Sequence, residues 1–272
     1  MHVVRLEYRN VTMRFADAKG GALTAVRGVS FSIRDAEVVS LIGPTGCGKS
    51  TLLNIGSGLA TPSEGAAFVD GQQVAGPNAQ VAFMLQKDLL LPWRTVAENV
   101  MFGVEIQGLP VKERQRRAAT LLANFKLAEF SGHYPHQLSG GMRQRVALAR
   151  TLAVDPHVLL LDEPFSAVDA QTRMVLQHDL AQTLKQANKT ALLITHDLAE
   201  AVTLSDRVLV MSRRPGTIIN EIAIELPQRE NPMARRRDAR FGDYVAQLMD
   251  RLDIAHADIA DAALEREAET AT

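Results

Sequence analysis

Apolar and polar positions change rhythm several times along the chain, and each change marks an element. Residues 3–8 and 28–33 alternate, Val29-Ser30-Phe31-Ser32-Ile33 most clearly, which predicts half-buried strands on either side of a small, Gly-Gly-ended loop at 16–21. From Val38 the pattern turns into short unbroken apolar runs: Val38–Ile42, Val158–Leu161, Ala191–Ile194 and Val208–Met211. Such runs suit strands covered on both faces. Shorter runs at 67–69 and 81–85 predict further strands, with a turn at 61–65, and 217–226 reads as a last strand. Between them lie helical periodicities: a start at Leu52–Ile55, a stretch over 95–130 with Leu121, Leu122 and Phe125 on its apolar side, a helix from about Met142 to Val154, one over roughly 170–187 and a short one before Val208. The charge run Lys112–Arg117 is a solvated helix face. The alternation of strand and helix predicts an α/β fold with a parallel sheet between helices. After Pro227 the character changes: Arg235-Arg236-Arg237, then an amphipathic helix over Tyr244–Leu252, then an Ala- and acid-rich end at 255–272 that reads as frayed or disordered.

The junction after Val38–Ile42 carries the clearest chemistry. Gly43-Pro44-Thr45-Gly46-Cys47-Gly48-Lys49-Ser50-Thr51 fits G-x-x-x-x-G-K-[ST] between a strand and a helix, the phosphate-cradling P-loop. Glycines let main-chain N–H groups turn inward, and the helix start adds partial positive charge. Lys49 would reach the β- and γ-phosphates, and the Ser50 hydroxyl would ligate Mg²⁺. Three strand ends bring further polar groups: Gln86, Asp162-Glu163 and His196. In a parallel sheet, ligands bind beyond the carboxyl ends of the strands. Asp162 would hold the metal, Glu163 would polarise a water and His196 would steady it at the γ-phosphate, a set pointing to nucleotide hydrolysis.

Composition adds bounds. The chain has 272 residues, room for one large α/β domain or two small ones, and a net charge of −1 gives no reason to expect a nucleic-acid partner. The single cysteine, Cys47, leaves no internal disulfide and suits a reducing compartment. Its place in the loop fits either a small residue or a reactive thiol. No run of 18 apolar residues and no signal-peptide core are present, so a cytoplasmic protein reaching membranes through a partner is expected. His133 and His136 lack further ligands at metal-site spacing. Trp93, the only tryptophan, stands beside Pro92 as either an exposed contact or a buried anchor, and Phe15 reads equally as a core aromatic.

Leu138-Ser139-Gly140-Gly141-Met142 followed by Arg143-Gln144-Arg145 resembles the signature sequence of ATP-binding-cassette (ABC) ATPase subunits, over residues 1 to about 226. The order agrees too: P-loop, Gln86, signature, Asp162-Glu163, Ser166-Ala167-Val168-Asp169, His196. The resemblance implies a P-loop NTPase (RecA-like) core with an N-terminal antiparallel β subdomain and an α-helical subdomain at about 90–153, followed by a C-terminal extension at 227–272. It implies ATP and Mg²⁺ as cofactors and a head-to-tail dimer in which the P-loop of one copy faces Ser139, Gly140 and Gly141 of the other. Phe15 matches the aromatic that stacks on adenine, Asp169 the loop linking the two sites, and Gln86 the residue that senses Mg²⁺ and communicates with membrane subunits. Ala36 departs from the pattern, where a turn needing positive φ would be strained; Thr45 and Val168 replace a frequent Ser and Leu.

Leu90–Val100, His133–Gln137 and Arg214-Pro215-Gly216 further resemble the importer group for nitrate, sulfonate and taurine. This implies two transmembrane permease subunits, an extracytoplasmic solute-binding protein acting indirectly, and a peripheral place on the cytoplasmic face of the inner membrane. Segment 87–102 would lie near the groove for the membrane subunit, with Trp93 as anchor. Another solute, or an ABC ATPase working without a membrane, are the alternatives. The latter relatives carry a coiled-coil insertion or a second cassette, absent here. A GTPase would want Asn-Lys-x-Asp, and Asn188-Lys189-Thr190-Ala191 lacks the acid.

Overall fold

The computed structural model describes residues 3–16, 21–166 and 168–252, so most of the predicted loop at 16–21 and the whole of 255–272 lie outside the described residues. Two long strands open the chain, β1 (Val4–Ala16) and β2 (Ala22–Arg34), followed by β3 (Val38–Ile42), α1 (Lys49–Gly56), β4 (Glu64–Val69), β5 (Gln72–Gln73) and β6 (Val81–Met84). Helices α2 (Val96–Ile106), α3 (Val111–Asn124) and α4 (Gly140–Ala153) come next. Then strand and helix alternate: β7 (Val158–Asp162), α5 (Ala170–Gln186), β8 (Thr190–Ile194), α6 (Leu198–Leu204), β9 (Arg207–Met211) and β10 (Ile218–Ala223). Two C-terminal helices follow, α7 (Pro232–Arg237) and α8, helical over 241–252.

The strands form two sheets. One is antiparallel, in the order β2-β1-β4-β5. The other runs β10-β9-β3-β8-β7-β6, parallel throughout except for the antiparallel edge strand β10. Every residue of β3, β7 and β8 is buried, as their unbroken apolar runs require. Alternate side chains serve different cores. Leu159, Leu161, Ala191 and Leu193 pack with the helices α2–α5, while Leu160, Leu192, Val39 and Leu41 pack with α1 and the antiparallel sheet. Tyr8 joins the two layers: its ring stacks on Phe31 and its hydroxyl donates to the Leu52 carbonyl of α1 at 2.7 Å.

Three expectations need correction. The helical stretch over 95–130 is interrupted at 107–110, where Gly108 takes φ 76 and Pro110 caps the next helix. The signature helix begins at Gly140, two residues early, because the Ser139 side chain accepts the Met142 N–H and caps it. The last strand ends at Ala223 rather than 226. Ala36 does adopt φ 57; its N–H donates to Thr190 Oγ1 at 2.9 Å, and its carbonyl accepts from Arg229, which hold the strained turn from both sides.

Candidate active site

The carboxyl ends of the parallel strands open onto a cleft of 610 Å³. The P-loop forms its floor. Gly48 ends the loop in a left-handed conformation, φ 111, and a Cβ there would lie 2.4 Å from Val26 Cγ1, so only glycine fits. Lys49, first residue of α1, is buried, and its ammonium donates to the Gly43 and Pro44 carbonyls at 2.7 and 3.0 Å. That clamp folds the loop around the lysine. Thr45, Gly46, Ser50 and Thr51 line the cleft, whereas the Cys47 side chain points into the core beside Val26 and Met211. Burial pushes the Cys47 thiol up, against the opposing charge of Lys49 beside it.

Asp162 and Glu163 enter from the end of β7. Asp162 is buried, and that burial raises its carboxyl; the Ser50 hydroxyl, bonded to it, acts in the opposite direction. Glu163 takes φ 46, a strained backbone for a residue with a side chain, held by its N–H to the Ile194 carbonyl at 3.0 Å and by Ser166, whose N–H and hydroxyl both donate to the Glu163 carbonyl. The turn swings its carboxylate out of the strand direction and into the cleft. There, Oε2 accepts from Gln86 Nε2 at 3.1 Å and lies 3.3 Å from His196 Nδ1. Three strand ends, after β6, β7 and β8, therefore converge on one carboxylate oxygen. Oxygen donors on Ser50, Asp162 and Gln86 are the hard ligands that suit a divalent cation of the Mg²⁺ type. At the other end of the cleft, Phe15 is 44% exposed and sits opposite Leu23 on β2, giving an apolar wall.

One cleft residue escaped the sequence reading. Arg214 donates from Nε and Nη2 to the Gly46 carbonyl at 3.1 and 2.8 Å. Its loop is stitched to β2 by the Gly216 N–H to Ala25 and the Arg27 N–H to Gly216. The Arg214-Pro215-Gly216 run was visible as a subgroup mark, but nothing local in it points to the P-loop.

Ser139, Gly140, Gly141 and Asp169 do not line this cleft. They form a second surface made of two helix starts. Asp169 caps α5, accepting from Gln171 N and Thr172 N at 3.1 and 3.0 Å, and its bonding to Thr172 holds the carboxyl below its usual range. A Cβ at Gly141 would lie 2.5 Å from Thr172 Cγ2, so the α4 and α5 starts are pressed together. The signature helix is also tied to the segment after Gln86: Arg143 pairs with Asp88 at 3.0 Å, and Arg150 donates to the Asp88 and Leu89 carbonyls.

Beyond that segment a groove of 440 Å³ runs between α2 and α3, lined by Trp93, Arg94, Met101, Glu105 and Arg114. Trp93 is 71% exposed. The loop bearing it is pinned by one buried amide: Asn99 accepts the Leu91 N–H at 2.8 Å and donates to the Leu91, Arg94 and Thr95 carbonyls at 3.0–3.1 Å. Among the described residues no helix is long and apolar enough to cross a membrane.

A family model described as ABC transporter matches residues 26–166. An uncharacterised ABC transporter ATP-binding protein of Methanocaldococcus jannaschii is 43% identical, covering 92% of this chain and 91% of that one. The nitrate import ATP-binding protein NrtD of Synechocystis sp. is 45% identical over 83% of this chain and 87% of its own. The taurine import ATP-binding protein TauB of Burkholderia pseudomallei is 41% identical over 92% and 97%. A solved ATP-binding cassette, a dimer in a post-hydrolysis state bound to ADP and Pi, superposes with a TM-score of 0.72 at 31% identity, covering 80% of this chain and 98% of that one.

Proposed function

The chain belongs to the ABC transporter family, as one of its ATP-binding subunits, and from that premise we propose that it hydrolyses ATP to power import of a small oxyanion of the nitrate, sulfonate or taurine class. The observation that carries the chemistry is the meeting of Gln86, Glu163 and His196 over a P-loop cleft. The solute class follows the names of the nitrate and taurine import relatives.

The residues divide the work. The N–H groups of the loop and the Lys49 ammonium bind the phosphates, and Phe15 offers a face for the base. Ser50, Asp162 and Gln86 would hold Mg²⁺, which would supply positive charge to the phosphate oxygens. Glu163 accepts a proton from the attacking water, oriented for it by Gln86 and His196. His196, which meets the same Glu163 oxygen through Nδ1, donates toward the γ-phosphate. Ser139, Gly140 and Gly141 bind the γ-phosphate held by a second copy, and Asp169 lies at the seam between the two. Arrangement of these groups on a surface apart from the cleft supports a head-to-tail pair. At the cytoplasmic face of the membrane each of two permease subunits docks on the Trp93 groove of one ATPase copy, and an extracytoplasmic binding protein supplies the solute to them.

Solute uptake in a strain lacking this protein tests the reading. Complementation with wild type is expected to restore uptake of nitrate, taurine or an alkanesulfonate, and Glu163→Gln to bind ATP without restoring it. Equal uptake with Glu163→Gln refutes the role of that carboxylate; no uptake difference with any of these solutes refutes the solute class.

A further inference from the structure

The sequence beyond Pro227 reads as an appendage, yet two adjacent arginines of α7 reach deep into the molecule. Arg235 is 2% exposed, and its guanidinium donates to the carbonyls of Val202, Thr203, Ser205, Leu226 and Pro227. The first three are the open carbonyl end of α6, so Arg235 caps the helix that starts two residues after His196. The next residue, Arg236, leaves α6 and turns to α5. Its Nη2 donates to Gln177 Oε1 at 3.1 Å.

Gln177 is fully buried and has a second bond: its Nε2 donates to Glu200 Oε2 at 3.1 Å. Glu200, itself buried, also takes a hydrogen bond from the Thr195 hydroxyl. That hydroxyl accepts the Asp197 N–H at 3.0 Å. The Asp197 side chain in turn accepts the Glu200 N–H at 3.0 Å and faces Arg173 of α5 at 3.4 Å. The two neighbours of His196 are thus both locked to Glu200, and Glu200 is oriented by a glutamine whose remaining oxygen is held from α7. A primary amide with its oxygen unheld can rotate by half a turn and present the wrong atom; Arg236 fixes the orientation in which nitrogen faces the carboxylate.

We propose that α7 is part of the support of His196: Arg236 positions Gln177, which positions Glu200, which sets the 195–197 turn and hence the place of His196 against Glu163. This rests on the assignment of His196 to hydrolysis. Arg236 is a positioning residue, because it touches neither the cleft nor any group that reacts.

The test is a double-mutant cycle on ATP hydrolysis by the full-length chain co-purified with its membrane subunits. Arg236→Ala is expected to lower kcat by about 3- to 10-fold, as contacting members of one network commonly do, with KM for ATP within about 2-fold. Arg236→Lys, which keeps a donor, recovers most of the loss. In a His196→Ala background, followed long enough to quantify residual turnover, Arg236→Ala has no further effect. An equal drop in both backgrounds, a change in KM alone, or no drop where His196 is intact overturns the proposal. Should Arg236→Ala not yield folded protein, Arg236→Met, which keeps the length of the stem without the donors, carries the same cycle. His196→Ala turning over at the wild-type rate would instead remove the assignment beneath the proposal, so the two failures are told apart.

Discussion

Glu200 gives the sharpest quantitative test of the buried network. It is 3% exposed, and desolvation raises its carboxyl from 4.5 to about 7, against the opposing bonds from Thr195 and Gln177 and the charge of Arg173, and with the help of Asp197. The folded protein therefore holds a proton across a window, from 4.5 up to about 7, in which the unfolded chain has already released it. Stability from this group is fully present below that window and falls as pH rises through it. At about 1.4 kcal/mol per pH unit, the whole window is worth on the order of 3 kcal/mol, of which about 2–3 kcal/mol falls between about pH 5 and about pH 8. Glu200→Gln stays neutral throughout and keeps an acceptor for Gln177 and Thr195. Urea unfolding of both proteins, followed by far-ultraviolet circular dichroism at several pH values with the slopes compared, reads the difference. The variant's advantage over wild type is expected to grow by that amount from acid to alkaline buffer. Two stability curves that run parallel, or a wild type that gains on the variant as pH rises, refute the reasoning.

Two further perturbations address the cleft and the groove. Arg214→Ala removes both guanidinium bonds to the Gly46 carbonyl, so the P-loop loses an outer brace; the affinity for a fluorescent ATP analogue is expected to fall by about 3- to 10-fold, in line with the modest worth of solvent-accessible charged hydrogen bonds, and an unchanged Kd contradicts the bracing. Trp93→Ala, at a side chain 71% exposed, shifts stability by less than about 0.5 kcal/mol but is expected to reduce co-purification of the chain with its membrane subunits; full retention of those subunits excludes Trp93 as an anchor.

Much of the architecture was legible because the parallel strands are buried on both faces and their apolar runs say so without reference to anything distant. Val38–Ile42, Val158–Asp162 and Thr190–Ile194 are of this kind. Two helix boundaries were harder to place. Gly140 and Gly141 are poor helix formers, so the start of α4 was hidden behind them, although Ser139 stood in the capping position. Gly108 and Pro110 did mark the break after α2, but the periodicity on either side ran across them. The long-range arginines were out of reach. Arg214, Arg235 and Arg236 owe their places to main-chain carbonyls and an amide brought near by folding, and a run of basic residues looks the same whether it meets water or a helix end. Cys47 sits in the P-loop by sequence, and only the fold shows that its side chain is buried among core residues.

The loop under Trp93 bears on how movement is passed along. Asn99 ties three carbonyls and one N–H of residues 91–95 to the first turn of α2, so the tryptophan stands on a stiff mount rather than a flexible arm. Anything that seats on it has little disorder to remove, and less of the binding free energy goes into ordering the loop. A braced mount also works in reverse: a push on residues 91–95 has a direct bonded route into the first turn of α2. The same segment reaches Arg143 and Arg150 of the signature helix through Asp88 and Leu89. Force applied at the groove thus has two bonded routes, one into α2 through a single buried amide and one into the signature helix through two arginines.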